Sequence, residues 1–117
     1  KAANYYDQNL KELNQLTLPY RSMESNHVFH QYTLKLNENI KRDELIEFLA
    51  NKNIPAMVYY PVPAHHQKMF SEIPNSHTNM KVTNELSSRV FSLPMHTELS
   101  SLQQDFIIDN LFRFFKI

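Results

Sequence analysis

Hydrophobic residues recur along the chain with two periods, one typical of helices and one typical of strands. Tyr6, Leu10 and Leu13 follow the spacing of one helix face, and Pro19 is expected to end that first helix. From His27 to Leu36 apolar and polar residues alternate instead. Alternation of this kind predicts a strand with one mostly apolar face.

The rest of the chain continues with both periods and is punctuated by proline. Ser100 and Gln103 have the spacing of a capping box, which predicts where the last helix begins. The order predicts an α+β fold, with a small sheet of about three strands and helices packed on one face, in a single domain over 1–117. The predicted later elements are a helix over 41–52, a strand over 56–60, a short helix over 65–70, a loop over 73–78, a helix marked by Val82, Leu86 and Val90, a brief extended segment over 90–94, and a closing helix with a wide apolar face that Phe112 and Ile117 extend.

The absence of glycine from the 117 residues narrows the possible functions. Phosphate-binding loops and dinucleotide fingerprints need glycine, because backbone amides must approach the phosphate where a Cβ atom would clash. Turns with positive φ must therefore use asparagine, which tolerates that conformation better than most residues. Asn53 and Asn75 are the candidates.

Charge and cysteine content exclude further classes. The net charge is zero, so nothing drives the chain electrostatically toward nucleic acid or anionic membranes. No cysteine is present, which excludes disulfide frameworks and zinc ribbons and fits a cytoplasmic location. No apolar run approaches the roughly 18 residues of a membrane helix.

The six histidines do not predict a metal site. His27 and His30 are three residues apart on the predicted strand, where side chains alternate, so they are expected to point to opposite faces. His65 and His66 are adjacent and meet the same difficulty. Ligands would have to come together from distant segments, and we expect no metal.

The segment from Met57 to Phe70, MVYYPVPAHHQKMF, is the strongest candidate for a site. Pro61 and Pro63 restrict φ and stiffen the exit from the predicted strand, so His65 is held at a defined position just beyond it. Rigidly placed polar side chains after a strand are typical of a site rim. From the residues alone, a surface loop with incidental histidines is the competing interpretation.

Four segments resemble one family in a single order and spacing. YYPVPAHHQ over 59–67 resembles the HYPxPxHxQ element of the DegT/DnrJ/EryC1/StrS sugar aminotransferases, and SLPMH over 92–96 resembles their SLPMHP element. HVFHQY over 27–32 is similar to their HxYHLY strand, and RDELIEFL over 42–49 is similar to the helix that follows it.

The resemblance implies a fold-type-I enzyme that uses pyridoxal phosphate (PLP) and works as a homodimer. Such enzymes move an amino group, usually from glutamate, onto a nucleotide-linked keto-sugar. By motif position, His65, His30, Tyr32 and Tyr59 are expected to line the cofactor or substrate site, although Tyr59 stands where the family often has histidine. Core positions satisfied by hydrogen bonds are the alternative for His30 and Tyr32.

The resemblance also implies that the catalytic lysine lies in a large N-terminal domain that is not part of this sequence. We therefore expect the chain to be the C-terminal domain of a longer enzyme cut at Lys1, inactive alone and with no catalytic residue of its own. Two alternatives stay open, a PLP-dependent sugar dehydratase of the same family and a non-catalytic interaction or regulatory module that reuses the fold.

Overall fold

The computed structural model describes residues 1–70, 72–73 and 79–116, and in those residues helices pack against a small sheet. In chain order the elements are α1 (Ala2–Leu10), β1 (Leu16–Thr17), β2 (Tyr32–Leu36), α2 (Arg42–Ala50), two 3₁₀ turns (Ala64–His66 and Lys68–Phe70), α3 (Lys81–Arg89), β3 (Val90–Leu93) and α4 (Ser101–Phe115).

The sheet is antiparallel with strand order β1-β2-β3, so β2 is its centre. Tyr32 pairs with Leu93 and Leu34 with Phe91, and all four side chains are buried. Directly opposed residues share a face of the sheet, so these pairs form its inner face. The outer face carries the alternate residues of the two strands.

Helices α1, α2 and α4 supply the other half of the core. The rings of Tyr6 and Tyr32 lie 4.9 Å apart between centroids, which joins α1 to the sheet. Leu49 of α2 and Leu111 of α4 are fully buried in the same cluster as Leu34. The predicted α+β class, with a sheet of three strands and helices against it, is confirmed.

The predicted first helix is too long. It ends at Leu10, and a turn follows in which the Leu13 amide donates to the Leu10 carbonyl (3.0 Å). The chain then forms β1, which the sequence analysis missed, because Leu16 and Thr17 pair with the end of β2. Two residues give too short a pattern to identify from periodicity.

Two predicted strands are shorter than expected. Only residues 32–36 of the 27–36 segment form a strand. The predicted strand over 56–60 is reduced to one bridge, in which Met57 and Ser92 exchange backbone hydrogen bonds of 3.0 and 2.7 Å. Proline limits this second strand on one side of the bridge, because the next hydrogen-bonded pair would be Pro55 and Pro94, and neither has an amide hydrogen.

The helical predictions after residue 40 are close to the structure. The short helix predicted over 65–70 is two 3₁₀ turns. Val90, predicted both to mark the helix before it and to begin the extended segment, is the first residue of β3. On α4 the wide apolar face is mostly packed, while Leu102 and Phe106 stay 79% and 51% exposed. Most of the loop predicted over 73–78, and Ile117, lie outside the described residues. Within the described part of the chain, no helix is long and apolar enough to cross a membrane.

Asparagine does replace glycine at one turn. Asn53, just after α2, has φ of 57°, as predicted; Asn75 lies outside the described residues. Phe29 and Lys116 also have positive φ, at 50° and 59°, and were not anticipated. A positive φ is unusual for an aromatic residue, so the contacts of Phe29 must hold its backbone.

The capping box of α4 generates a stability prediction. The Ser100 hydroxyl accepts from the Gln103 amide (3.2 Å), and the Gln103 side chain accepts from the Ser100 amide (3.0 Å). We expect Ser100→Ala to lower the free energy of unfolding by about 1 kcal/mol, the typical cost of losing an N-cap. Urea denaturation measures this. Ser101→Ala, one residue further along, is the matched control and should change little; equal losses in the two variants would contradict the capping role.

The two buried tyrosines generate a pH prediction. Burial raises the pKa of the Tyr6 hydroxyl above its ordinary value of 10.0; for Tyr32 burial is again the main cause, and the hydrogen bond to Asp7 raises the pKa further. Because the folded pKa exceeds the unfolded one, the folded chain binds more protons at alkaline pH. The two hydroxyls contribute fully to the free energy of unfolding below pH 10. As the pH rises above 10, the free energy of unfolding falls by about 1.4 kcal/mol per pH unit for each tyrosine.

Urea denaturation at a series of alkaline pH values checks this dependence. A chain carrying both Tyr6→Phe and Tyr32→Phe should show a shallower fall of stability with pH than the unchanged chain. Tyr20→Phe is the control, since Tyr20 is 84% exposed. Identical pH slopes in all three proteins would overturn the prediction.

Candidate functional site

The proline-containing turn after the Met57 bridge borders a surface groove of about 430 Å³. Tyr59 lies on this groove and is 43% exposed. The opposite side is formed by α3, and Val90 of β3 completes it. The lining residues are Tyr59, Tyr60, Val62, Pro63, Ala64, Gln67, Thr83, Leu86, Ser87 and Val90. We call this the Tyr59 groove.

His65 sits beside the Tyr59 groove, next in sequence to its lining residue Ala64. Its ring is half-buried, and Nε2 lies 2.9 Å from Oδ1 of Asn84 on α3. Pro63, with φ of −56°, precedes the 3₁₀ turn that carries His65, and the His66 amide donates to the Pro63 carbonyl (2.9 Å). The proline therefore does what the sequence analysis expected, since it holds the histidine in a tight, defined turn.

His30 lies on a second groove, of about 390 Å³, that we call the His30 groove. Its side chain is exposed, in the segment between Pro19 and the start of β2. The groove is lined by Pro19, His27, Val28, His30, Gln31 and Thr33. Four of the six lining residues carry an imidazole, amide or hydroxyl group, so the groove can donate and accept hydrogen bonds.

Both grooves border the outer face of the sheet. Thr33 of the His30 groove pairs with Ser92, and their hydroxyl oxygens lie 2.8 Å apart. Val90 of the Tyr59 groove pairs with Lys35 on the same face, because Thr33 and Lys35 are two residues apart on one strand. The outer face thus connects the two segments that the sequence analysis selected.

A cluster of side chains fixes the segment that carries His30. Arg21 Nε donates to Oδ2 of Asp7 on α1 (2.9 Å), and the Arg21 guanidinium lies 3.9 Å from the centre of the Phe29 ring. The rings of Phe29 and His27 stack at 3.9 Å, and the Phe29 amide donates to Nδ1 of His27 (3.0 Å). These contacts hold Phe29 at its positive φ, and Phe29 anchors its neighbour His30.

Tyr32 is a core tyrosine in this chain. Its side chain is fully buried, and its hydroxyl donates to Oδ1 of Asp7 (2.6 Å). Burial, followed by this hydrogen bond to an acceptor, raises the pKa of the hydroxyl, so Tyr32 stays neutral. Asp7 accepts from both Tyr32 and Arg21 and thereby ties the sheet to the His30 segment. A role for Tyr32 as a site-lining residue stays a prediction.

Sequence reasoning did not identify Asn84, Arg21 or Asp7. Asn84 is 19 residues from His65, and Asp7 is 25 residues from Tyr32. Neither pair has a recognisable spacing, because each contact depends on how two separate elements pack. The available signal for Asn84 was its position inside a predicted helix, where asparagine has a low propensity.

No metal site is formed by the described residues. No group of three or more His, Cys, Asp or Glu side chains there could hold an ion. His27 and His30 do not lie on a strand, so the strand-based argument for separating them was wrong. His27 is instead occupied by stacking on Phe29 and by its hydrogen bond.

A third cleft, of about 810 Å³, lies between α2 and α3 and includes none of the four predicted site residues. Its lining includes acidic and basic side chains, several of which form ion pairs. Arg89 contacts Glu85 (2.6 Å) and Glu38 (3.4 Å), and its Nε donates to the Leu36 carbonyl (2.8 Å). Arg89 therefore joins α3 to the end of β2.

Comparison with known proteins identifies relatives over most of the chain. It is 40% identical over 103 residues to the UDP-N-acetyl-3-dehydro-alpha-D-glucosamine 3-aminotransferase of Acidithiobacillus ferrooxidans. The matched region covers 88% of this chain and 26% of that protein. It is 37% identical over 90 residues to the pleiotropic regulatory protein of Geobacillus stearothermophilus, and this match covers 77% of this chain and 23% of that protein. The chain thus spans about a quarter of the length of these two relatives.

Solved structures share the fold. The S. venezuelae DesV protein, solved in complex with a ketimine intermediate, superposes with a TM-score of 0.86 and 25% identity, over 97% of this chain and 30% of that one. A DegT DnrJ EryC1 StrS aminotransferase from Brucella abortus gives 0.82 and 30% identity, over 97% and 29%. Residues 1–112 also match the family model of these enzymes. A match of this extent shows that the chain belongs to the DegT/DnrJ/EryC1/StrS aminotransferase family.

Proposed function

We propose that this chain forms one wall of the active site of a PLP-dependent aminotransferase that acts on a nucleotide-linked keto-sugar. The observation that carries the proposal is the 40% identity, over 88% of the chain, to a relative named as an aminotransferase of a UDP-linked 3-dehydro-glucosamine. The proposed amino donor is glutamate, the proposed parent is a homodimer, and the proposed product is an amino sugar for cell-surface polysaccharide.

The chemistry of the two grooves fits one wall of such a site. Tyr59 offers an aromatic ring and a hydroxyl, and His65 and His30 offer imidazole nitrogens. These groups suit hydrogen bonds to sugar hydroxyls and phosphates, and an aromatic ring packs well against a sugar or a base. No lysine lines either groove among the described residues. The groups therefore fit contact with PLP and its substrate and do not fit covalent attachment.

The proposal divides the work between this chain and the rest of the protein. When bound, PLP supplies the carbonyl chemistry that takes up and releases the amino group. The residues of this chain bind and orient, with His65 and His30 placed to hydrogen-bond the sugar and Tyr59 placed to pack against it. The lysine that holds the cofactor and moves protons is proposed to lie outside the 117 residues.

A regulatory role is the second candidate. It is favoured by the Geobacillus stearothermophilus relative, which is named as a pleiotropic regulatory protein and is 37% identical. A PLP-dependent sugar dehydratase would use the same wall with another residue in place of the lysine. Assays of the complete protein separate all three roles.

The first test uses the complete protein that contains this chain. Incubation with PLP, glutamate and a UDP-linked 3-keto-sugar is expected to yield 2-oxoglutarate and the amino sugar in equal amounts, as measured by mass spectrometry. A sugar product that has lost a hydroxyl and carries no new amino group would identify the dehydratase. Absence of any sugar conversion would contradict both enzymatic roles and favour the regulatory one.

The second test concerns His65. In the complete protein we expect His65→Ala to lower kcat/KM for the sugar about tenfold, which is the effect of losing one hydrogen bond of about 1.4 kcal/mol. His66→Ala is the matched control, because His66 is the exposed neighbour in the same turn. Steady-state kinetics, with cofactor absorbance as a check on folding, measure both. Equal activity in the two variants would remove His65 from the site.

The third test uses the isolated 117-residue chain. Addition of PLP is expected to give no absorption band of lysine-bound cofactor, because the attaching lysine is proposed to lie elsewhere. Titration followed by borohydride reduction and peptide mapping detects any attachment. A stable complex on one specific lysine of this chain would contradict the proposed division of work.

A further inference from the structure

We infer that Asn84 is a positioning residue that fixes both the orientation and the tautomer of His65, so that Nδ1 is presented to the ligand as a hydrogen-bond acceptor. The inference rests on the proposed function, because it gives His65 a specific task in sugar recognition. It adds that the group recognised by His65 is a hydrogen-bond donor, such as a sugar hydroxyl, and not a phosphate.

The contact between His65 and Asn84 joins two separate elements. Nε2 of His65 lies 2.9 Å from Oδ1 of Asn84, across 19 residues of sequence, and both residues are half-buried. This distance is typical of a good hydrogen bond. The contact connects the 3₁₀ turn Ala64–His66 to α3, and both of these elements line the Tyr59 groove.

The Asn84 end of this contact is held by its helix. The backbone amide of Asn84 donates to the Met80 carbonyl (2.9 Å), and the backbone carbonyl of Asn84 accepts from the Ser87 hydroxyl (3.0 Å). With the backbone held on both sides, the side-chain amide has only its own two torsions to adjust. Asn84 is thus a firm anchor for the imidazole.

The His65 end is held by its turn. Pro63 restricts the backbone before the turn, and the Gln67 amide donates to the Ala64 carbonyl (3.1 Å) after it. The rings of His65 and His66 also lie 4.1 Å apart. A hydrogen bond between two restrained groups loses little conformational entropy when it forms, so it can select one ring state.

The chemistry of the acceptor decides which state is selected. An amide oxygen accepts hydrogen bonds and cannot donate them, so Nε2 must carry the proton that faces Oδ1. A neutral imidazole has one N–H, so Nδ1 then holds a lone pair. Within the described part of the chain, no other hydrogen bond to the His65 ring is found. Nδ1 can therefore accept from a hydroxyl but cannot donate to a phosphate oxygen.

The tautomer can be measured on the 117-residue chain without cofactor or activity. Long-range ¹H–¹⁵N spectra of the labelled chain, at a pH where the histidines are neutral, are expected to show His65 in the Nε2–H form. Asn84→Ala is expected to lose this single state and give a mixture of both forms. Asn84→Asp, which keeps an acceptor oxygen in place, is expected to restore the Nε2–H form.

Ser88→Ala is the control, because Ser88 lies on the same helix and loses only its own hydrogen bond to the Glu85 carbonyl. It should leave the His65 signals unchanged. An Nδ1–H form or a mixture in the unchanged chain would overturn the inference. So would an Asn84→Ala spectrum identical to that of the unchanged chain.

A kinetic measurement on the complete protein tests the consequence for recognition. Asn84→Ala is expected to raise KM for the nucleotide-sugar about tenfold, with kcat and KM for glutamate changed little. Asn84→Asp should recover most of this loss. A fall in kcat with an unchanged KM for the sugar would contradict a positioning role.

The two experiments separate failure of this inference from failure of the proposed function. If the Nε2–H form is found but the complete protein transfers no amino group, the positioning of His65 stands and the proposed function fails. If amino transfer is observed but His65 is not in the Nε2–H form, the function stands and the inference fails.

Discussion

The antiparallel pairing of β2 with β3 is the constraint on which the rest of the structure depends. It places Tyr32 and Leu34 against the helices, and it places Thr33 and Ser92 on the outer face, where their hydroxyl oxygens lie 2.8 Å apart. A shift of the register by one residue would exchange the two faces. The core and both grooves would then be lost together, so stability and site geometry depend on the same hydrogen-bonded ladder.

Local patterns in the sequence were sufficient for much of the fold. The alternation around Leu34 predicted the central strand, and the capping box predicted the start of α4 at the correct residue. Asn53 took the positive φ that glycine would normally supply. These features depend on neighbouring residues only, which is why a single sequence reveals them.

Contacts between distant segments were the part that the sequence could not supply. The strand β1 exists only because Leu16 and Thr17 meet the end of β2, and its two residues carry no periodic signal. The segment before Tyr32 looked like a strand but is a loop. In it the Phe29 ring stacks on His27 and contacts the Arg21 guanidinium. Alternation of residue types describes exposure and does not guarantee a partner strand.

The same distinction applies to the candidate site. His65 could be selected from sequence because two prolines lie just before it, whereas its partner Asn84 could be found only once α3 was packed beside the turn. The family relationship and the open grooves together favour a wall that binds and orients, with the covalent chemistry proposed to lie in the rest of the protein.

The most direct test of this account is the distance from the His65 imidazole to the sugar in a structure of the complete protein with PLP and a nucleotide-linked sugar bound. The account predicts that Nδ1 lies within about 3.2 Å of a sugar hydroxyl, the upper range for such hydrogen bonds. A ring that faces solvent, or that packs against another part of the protein with no ligand contact, would contradict it.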